Sequence, residues 1–449
     1  MAALPLADIQ GLILRSYGMD ALRLFVLRVE NAAKCRRAIG RIPITSAQPW
    51  QVRAGPVRAG PVKPEFCVNI AFTSEGLHAL GLSEETLATF PEDFTQGAVR
   101  RASLVGDTGD SAPEAWRREY VQPGAHILIL LFAQNAAIRQ DQTDALRALW
   151  NGSATEIATQ DGDMLEGSVA HFGYTDGYSQ PTVQGGLPNP VPDILPLAPA
   201  GEFLLGYPSQ FTDYAYPVPD PPQLGLNGSF LALRILAQDC AAFDKLLAEA
   251  PEKFGIDGEK LAAKMVGRWR TGVPLEVSPE SNAPTEAIPL DKLNNYDYVD
   301  DPKGYRCPVG SHMRRNNPRS SPISGDGGLK HRIMRRGLPY GPLFHRDKPD
   351  DGIERGLLGL FIVASLKDQF EFLMTEWVNG SLFAAGLSGT KDPILGDNSG
   401  GTGKFVIPVK GGKPIVVTGF SRLVRTRAAA YGFLPSLSAL QYIATRNNS

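Results

Sequence analysis

The chain lacks long hydrophobic runs. The longest, "HILILLFA" and "LLGLFIVA", have eight residues each, whereas a helix that crosses a bilayer needs about 20 apolar residues. Runs this short favour buried strands. The opening segment "MAALPLADIQGLILRSYG" also lacks a basic start, a long apolar stretch, a twin-arginine pair and a small-residue cleavage site. We therefore predict a cytoplasmic protein, unless a leader segment has already been removed.

The chain also lacks an excess of charge of either sign. It carries 45 basic and 47 acidic residues, for a net charge of −2, so nucleic acid and membrane surfaces are not expected partners. Cysteine is scarce as well. The four cysteines stand far apart along the chain and form no CxxC pair. This pattern predicts reduced, mostly buried thiols rather than a zinc site or a disulfide framework.

Several motifs of nucleotide-binding and hydrolytic proteins are missing. "GDNSGGTGKF" resembles a phosphate-binding loop, but Asn398 stands where the first glycine belongs, and Phe405 follows Lys404 in place of Ser or Thr. A GxGxxG turn after a strand, an HExxH helix and a GxSxG elbow are absent from the sequence. Nucleotide binding and zinc- or serine-dependent hydrolysis are therefore poorly supported.

A repeated pattern indicates the domain organisation. Four segments read as an apolar strand, a polar break and a helix-period stretch, and they begin at "LRLFVLRV", "HILILLFA", "SFLALRIL" and "LLGLFIVA". Two lie in each half of a 449-residue chain, which exceeds one typical core. We predict two related α+β domains, each a sheet with helices on one face. Five prolines in residues 185–202 predict a boundary near residue 195, which gives domains of residues 1–195 and 196–449.

The first chemical signal is a single carboxylate in a loop rich in glycine and tyrosine. In "HFGYTDGYSQP", Asp176 lies between Thr175 and Gly177, with Gly173 three positions upstream. His171 adjoins this loop and is a candidate to support it. An ordinary turn is the simplest interpretation, since Asp-Gly is a common turn pair. A catalytic acid held on the loop is the alternative.

The second signal is a histidine next to a cluster of arginines. His312, in "CPVGSHMRRNNPR", follows a Pro/Gly turn and precedes Arg314, Arg315 and Arg319. Such a cluster suits an anionic prosthetic group, in which the histidine ligates a metal and the arginines neutralise carboxylates. A basic turn on the surface explains the same residues equally well.

The third signal is an arginine on a predicted strand. In "HRIMRRGLPYGP", a period of two places His331, Ile333 and Arg335 on one face of the strand and Arg332, Met334 and Arg336 on the other. A strand that ends at Gly337 can direct one fixed positive charge into a pocket, although an exposed basic strand is also consistent. An acid, a histidine and an arginine are together what peroxide chemistry at haem requires, with an iron ligand, a proton carrier and a charge stabiliser.

The chain resembles the dye-decolourising peroxidases over nearly its whole length. The resemblance runs from "DIQGLIL" at Asp8 through "GYTDG", "CPVGSHMRRNNPR" and "RIMRRGLPYGP" to "DPILG" at residues 392–396. The GxxDG motif is a weak signal by itself. The elements in this order and at these separations are specific.

The resemblance implies a role for each of the three residues. Asp176 matches the distal aspartate, which shuttles a proton during peroxide cleavage. His312 matches the proximal iron ligand, and it is therefore the expected metal ligand. Arg335 matches the distal arginine, with Arg332 as the less favoured alternative.

Further residues are implied to support the prosthetic group. Arg319 matches a residue that pairs with a haem propionate, and Arg314 is expected to assist it. The family also bonds its proximal histidine to an acid from the C-terminal region, which increases electron density at the iron. Asp392 is our candidate for that acid.

The resemblance also implies the fold, cofactor and partners. It implies an α+β protein of two ferredoxin-like domains with antiparallel sheets and flanking helices, with one haem b seated mainly in the C-terminal domain. The implied activity is reduction of hydrogen peroxide, through a ferryl intermediate, with oxidation of dyes, phenols or similar organic reductants. No nucleic acid or membrane partner is expected, and the expected state is a monomer or a homodimer.

Two other functions compete with a peroxidase. A haem-handling protein, for haem carriage or iron removal, needs His312 but not Asp176 and Arg335. A non-enzymatic ferredoxin-like binding module leaves the arginines beside His312 unexplained. If large dyes cannot reach a buried haem, Tyr340 and Trp377 are candidate surface oxidation sites, although packing residues are the alternative for both.

Overall fold

The computed structural model describes residues 3–50, 52–53, 60–121, 124–175, 177, 179–187, 193–210, 214–282, 288–319 and 328–446. The strands are β1 (Ala21–Val29), β2 (Val52–Arg53), β3 (Gly60–Pro61), β4 (Phe66–Phe72), β5 (Ile127–Ala133), β6 (Ala154–Asp163), β7 (Ser229–Gln238), β8 (Met334–Tyr340), β9 (Gly356–Val363), β10 (Gly403–Ile407), β11 (Ile415–Phe420) and β12 (Val424–Leu434). The helices are α1 (Gly11–Leu14), α2 (Ala32–Ile39), α3 (Ser74–Ala79), α4 (Glu84–Leu87), α5 (Glu92–Arg100), α6 (Arg118–Val121), α7 (Ala136–Trp150), α8 (Pro222–Gly225), α9 (Cys240–Phe254), α10 (Gly258–Val266), α11 (His312–Asn316) and α12 (Leu437–Thr445).

Eight strands form one antiparallel sheet built from two units of the same topology. The order is β6-β1-β5-β4-β12-β7-β9-β8. Within each unit the strands, numbered along the chain, lie in the order 4-1-3-2, which is the ferredoxin-like arrangement. The predicted α+β class and the two ferredoxin-like units are therefore confirmed. The two half-sheets are continuous, however, because Phe72 of β4 pairs with Phe433 of β12.

The sheet curls until its two end strands face each other. A Cβ added to Gly162 of β6 would lie 3.1 Å from the Cβ of Leu338 in β8, so these strands approach closely at a glycine. The curl encloses a core to which both halves contribute. Leu24 of β1, Leu233 of β7 and Leu360 of β9 are fully buried in it.

Helices α2 and α7 cover the outer face of the first half, whereas Phe94 of α5 packs on Phe230 of β7 and Phe433 of β12. Asn135 begins α7 by accepting a hydrogen bond of 3.0 Å from the backbone N–H of Ile138, as an N-cap residue does. Leu146 and Trp150, four residues apart on one helical face, are both buried. The ring of Trp150 meets Phe25 of β1 edge to face, with centroids 5.4 Å apart.

The outer face of the second half is covered differently. On β7, Leu233 and Ile235 point into the enclosed core, and Arg234, Leu236 and Gln238 point outward. Helices α9 and α10 pack against one end of this outer face. The rest of the face borders an internal cavity.

The segment after β9 also borders this cavity. It winds as π-helical turns over Leu366–Glu371 and Leu373–Val378, where the apolar pattern predicts a helix. Phe370, Leu373 and Met374 of this segment line the cavity wall. Such turns are rare and are frequent at functional sites.

Other expectations have mixed outcomes. All four cysteines are buried and free, which confirms the predicted thiols. Within the described residues, no helix combines the length and the apolar character that membrane crossing requires. The domain boundary near residue 195 and the cytoplasmic location stay predictions.

Phe433 provides a test of the junction between the two halves. It is fully buried, and the rings of Phe90, Phe94 and Phe230 have centroids 5.2, 6.4 and 5.7 Å from its own. We expect Phe433→Ala to lower the free energy of unfolding by about 3–5 kcal/mol, because it removes these contacts and leaves a cavity. Urea unfolding measures the loss. Val416→Ala, at a position 40% exposed, is the control, and an equal cost for both variants contradicts the packing described.

Candidate active site

An internal cavity of about 560 Å³ lies between the second half-sheet and helix α11. Its volume falls in the range of about 300–1,000 Å³ that is usual for cofactor and small-molecule sites. The sheet side is mixed in character, with arginines next to apolar side chains. The residues that line it from β7, β8 and β9 are Arg234, Leu236, Gln238, Arg335, Leu357 and Phe361.

His312 is the first residue of α11 and lines the opposite wall. Its Nδ1 lies 2.8 Å from Oδ2 of Asp392. A neutral His312 that donates its Nδ1–H to this carboxylate carries its lone pair on Nε2, at the other edge of the ring. The pairing therefore fixes the tautomer that is able to ligate a metal.

Asp392 is fully buried and is held by several donors. Its Oδ1 accepts the backbone N–H groups of Ile394 and Leu395 at 2.8 and 2.9 Å, and its Oδ2 accepts Asn316 Nδ2 at 3.0 Å. Burial opposes ionisation, but the attraction of His312 and these hydrogen bonds keep the pKa of Asp392 below its ordinary value. The structure thus places His312 and Asp392, which are 80 residues apart in the sequence, in direct contact.

Arg335 lies on the cavity side of β8. It is paired in register with Phe361 of β9, and its Nη2 donates to the carbonyl oxygen of Ser179 at 3.1 Å. Its backbone N–H donates to Oε1 of Gln180 at 3.1 Å. Arg336 points to the other side of the strand, where burial lowers the pKa of its guanidinium to about 10. The strand therefore presents Arg335 to the cavity and withholds Arg336.

The predicted alternation does not extend upstream of the strand. β8 begins only at Met334, and so Arg332, His331 and Ile333 all line the cavity. Arg332 donates to the carbonyl oxygen of Pro196 at 2.7 Å. The placement of His331 and Arg332 on opposite faces is wrong, because an extended period of two requires a strand that has not yet started.

Asp176 lies outside the described residues. Thr175 and Ser179, which flank it and are described, both line the cavity. His171 is buried, and its Nε2 lies 2.8 Å from the carbonyl oxygen of Tyr340, at the end of β8. Burial lowers the pKa of His171, which favours the neutral ring as the donor in that hydrogen bond. His171 therefore ties the loop to the strand that carries Arg335.

The structure does not bring Arg314 and Arg319 to the cavity. Arg314 is fully buried and donates to the carbonyl oxygens of Cys307 and Asp301 at 2.6 and 2.7 Å. Arg319 is equally buried and donates to the carbonyl oxygens of Asn294 and Tyr296 at 2.7 and 2.8 Å. Both side chains thus bond to the backbone of residues 294–307 and not to the cavity. The predicted contact with a propionate has no support in this geometry.

Other arginines line the cavity instead. Arg234 and Arg268 are both buried and are part of its wall, although Arg234 is paired with Asp107 and Arg268 donates to the carbonyl oxygens of Gly272 and Leu293. Neither arginine is among the residues predicted from the sequence. The alternation in "SFLALRILAQ" contains the signal for Arg234, because it places this arginine on the face opposite Leu233 and Ile235.

The candidate oxidation sites are not at the surface. Tyr340 is 5% exposed and Trp377 is 7% exposed. Trp377 packs edge to face on Phe372, whose ring stacks on His331 with centroids 3.6 Å apart. These contacts favour the packing interpretation of Trp377.

The residues that line the cavity fit a prosthetic group that itself supplies most of the ligands of its metal. Among the described residues, no group of three or more His, Cys, Asp or Glu side chains is placed to hold a metal ion. One oriented imidazole faces a cavity whose walls combine apolar side chains with buried arginines. A flat apolar group with an anionic edge and a central metal matches this combination.

Comparisons with known proteins agree with this geometry. Residues 8–165 match the model of the DyP dimeric alpha+beta barrel domain. The chain is 29% identical to a dye-decolorizing peroxidase of Mycetinis scorodonius, over 98% of this chain and 88% of that protein. It is 28% identical to a multifunctional dye peroxidase of an Amycolatopsis species, over 98% of this chain and 96% of that protein.

A solved structure extends the similarity to three dimensions. A dye-decolorizing peroxidase in complex with 2,6-dimethoxyphenol superposes with a TM-score of 0.82 and 27% identity, over 98% of this chain and 100% of that one. The similarity thus spans both ferredoxin-like units and the cavity between sheet and α11. In sequence over nearly its whole length and in fold, this chain is similar to the dye-decolourising peroxidases.

Proposed function

We propose that this peroxidase binds one haem b in the cavity beside α11 and uses hydrogen peroxide to oxidise dyes, phenols or similar reductants. The observation that carries the proposal is the ring of His312, whose tautomer is set by Asp392 at 2.8 Å and which faces a cavity of cofactor size. The complex of a similar peroxidase with 2,6-dimethoxyphenol supports phenols as one class of reductant.

The residues around the cavity divide into two roles. His312 would hold the iron through Nε2, and Asp392 would keep the ring oriented and electron-rich. When bound, haem would supply a redox-active iron for the reduction of peroxide. Asp176 takes the proton from one peroxide oxygen and delivers it to the other, which leaves as water. Arg335 stabilises the negative charge that develops on the departing oxygen.

The alternative of haem carriage or iron removal has weaker support. Such a protein has no need of Arg335 on the cavity face of a strand, and the similar proteins named above are peroxidases. We retain the proposal of a monomer or a homodimer and of a cytoplasmic location.

Haem ligation is tested with His312→Ala. We expect a folded protein that retains little haem, because His331, the other histidine of the described cavity wall, stacks on Phe372 and has its Nδ1 2.6 Å from the carbonyl oxygen of Asp368. Absorbance of the Soret band per mole of protein measures haem content, and circular dichroism measures folding. His345→Ala, at an exposed histidine, is the control and should retain full haem. An unchanged spectrum for His312→Ala would mean that another residue is the ligand.

Arg335→Leu tests charge stabilisation. Loss of a fixed donor at a site of developing charge costs about 10²–10³ in rate, so the variant should bind haem yet react with peroxide at least roughly a hundredfold more slowly. Stopped-flow spectroscopy of the Soret band measures the rate. Arg332→Leu is the matched variant, because Arg332 also lines the cavity. A larger defect in Arg332→Leu would reverse the assignment.

Asp176→Asn tests the proton carrier. The amide preserves size but removes the base, so haem should stay bound while the rate with peroxide falls by about 10²–10⁴. An aspartate has an ordinary pKa of about 3.9, whereas a histidine base protonates near about 6.5, and we therefore expect an acidic pH optimum in the wild type. Mixing with peroxide near pH 4 gives the decisive measurement. A wild-type rate for Asp176→Asn would exclude Asp176 from the reaction.

A further inference from the structure

The loop that leads into Asp176 is attached to Arg270. The backbone N–H of Thr175 donates to the carbonyl oxygen of Arg270 at 3.2 Å. The guanidinium of Arg270 lies over the ring of Tyr174, with its Cζ 5.2 Å from the ring centroid. Tyr174 also lines the cavity. A single side chain therefore separates Arg270 from the proposed reaction space.

Gly173 allows this contact to be close. Its φ is +85°, and an added Cβ would lie 2.8 Å from Nη1 of Arg270. The positive φ favours glycine at this position, and an added Cβ would force the loop and the guanidinium of Arg270 apart. The guanidinium sits directly against the loop backbone and packs on two rings, Tyr174 and Phe243.

Arg270 is itself fixed from the opposite side. Its Nε donates to Oε2 of Glu259 at 2.8 Å, in the first turn of α10. Burial opposes ionisation of Glu259, but the hydrogen bonds and charges of Arg270 and Arg346 lower its pKa. Nη1 and Nη2 of Arg270 are buried and have no hydrogen-bond acceptor in the described structure. Since buried donors without acceptors cost free energy, ring packing and Glu259 must hold this orientation.

We propose that Arg270 is a positioning residue for the reaction with peroxide, acting through the backbone of residues 173–175 on the placement of Asp176. This inference rests on the proposed function, since it has meaning only if Asp176 carries the proton. A displacement of about 1 Å at a reacting group can cost about a hundredfold in rate. The loss of Arg270 should therefore slow the peroxide step without removing haem.

The test compares Arg270→Met with Arg346→Met. Arg346 shares Glu259 and Asp244 with Arg270, but its side chain is 42% exposed and its hydrogen bonds go to these carboxylates. On the haem-loaded protein, we expect Arg270→Met to lower the rate with peroxide about 10- to 100-fold. The Soret spectrum and the KM for the reductant should not change. Arg346→Met should react like the wild type.

Hydrogen exchange gives a readout that does not depend on turnover. Amide exchange of the peptide covering residues 168–177 should accelerate in Arg270→Met and stay unchanged in Arg346→Met, because only the first variant removes the guanidinium that packs against the loop. Unaltered exchange together with a wild-type peroxide rate would overturn the inference.

A second variant disturbs the contact between the loop and Arg270 by a substitution in the loop. It decides the outcome if Arg270→Met does not fold. Gly173→Ala forces a Cβ against Arg270 at a positive φ, whereas Gly152→Ala has a φ of +70° and nothing within 4 Å of the added Cβ. Both substitutions strain the backbone, but only the first displaces the loop from Arg270. Equal peroxide rates for these two variants would contradict the proposal.

Asp176→Asn, measured in parallel, distinguishes a failure of the proposed proton carrier from a failure of the positioning role of Arg270. A wild-type rate for this variant means that the proposed proton carrier is wrong. A slow Asp176→Asn alongside fast Arg270→Met and Gly173→Ala variants means that the proton carrier stands and Arg270 does not position it.

Discussion

The hydrogen bond between His312 and the buried carboxylate of Asp392 is the interaction on which the site depends. A fully buried carboxylate is unfavourable unless donors surround it, and here two backbone N–H groups, one amide and one imidazole do so. The negative charge is therefore stable where water does not reach. The same charge determines which nitrogen of His312 faces the cavity. The hydrogen bonds that hold Asp392 therefore also determine which nitrogen is able to ligate a metal.

The fold places a cavity opposite His312 and Asp392. In the first unit, helices cover the outer face of the sheet. In the second unit, part of that face borders a cavity, to which the strands contribute both arginines and apolar side chains. The same topology therefore has two roles. The first unit contributes half of the enclosed core. In the second unit, the period of two along the strands places arginines on the face that borders the cavity.

Much of this arrangement is predictable from the sequence, because periodicity reports which side of an element is buried. The repeated strand-helix pattern predicts two related units, and the pairing of Asp392 with His312 follows from the family resemblance. Periodicity carries no information on how two sheets meet, and so the Phe72–Phe433 pairing was not foreseen. Arg314 and Arg319 illustrate another limit. A run of arginines around a five-residue helix does not reveal which side chains face inward, since each finds carbonyl oxygens in the segment beneath it.

The pairing of β4 with β12 has a consequence for biosynthesis. Strand β4 ends at Phe72, whereas its neighbour β12 begins only at Val424, so the ribosome makes the first unit long before the strand that joins it at Phe72. The edge of β4 is not left open until then, because Thr45 bonds to the backbone of Val68 and the side chain of Gln10 bonds to the backbone of Ile70, and such capping guards an edge against association with other chains. The last helix then closes on the start of the chain, where the N–H of Leu437 donates to the carbonyl oxygen of Asp8 at 2.8 Å. The junction between the two half-sheets at Phe72 and the contact of α12 with Asp8 therefore form late, after the first unit is already made.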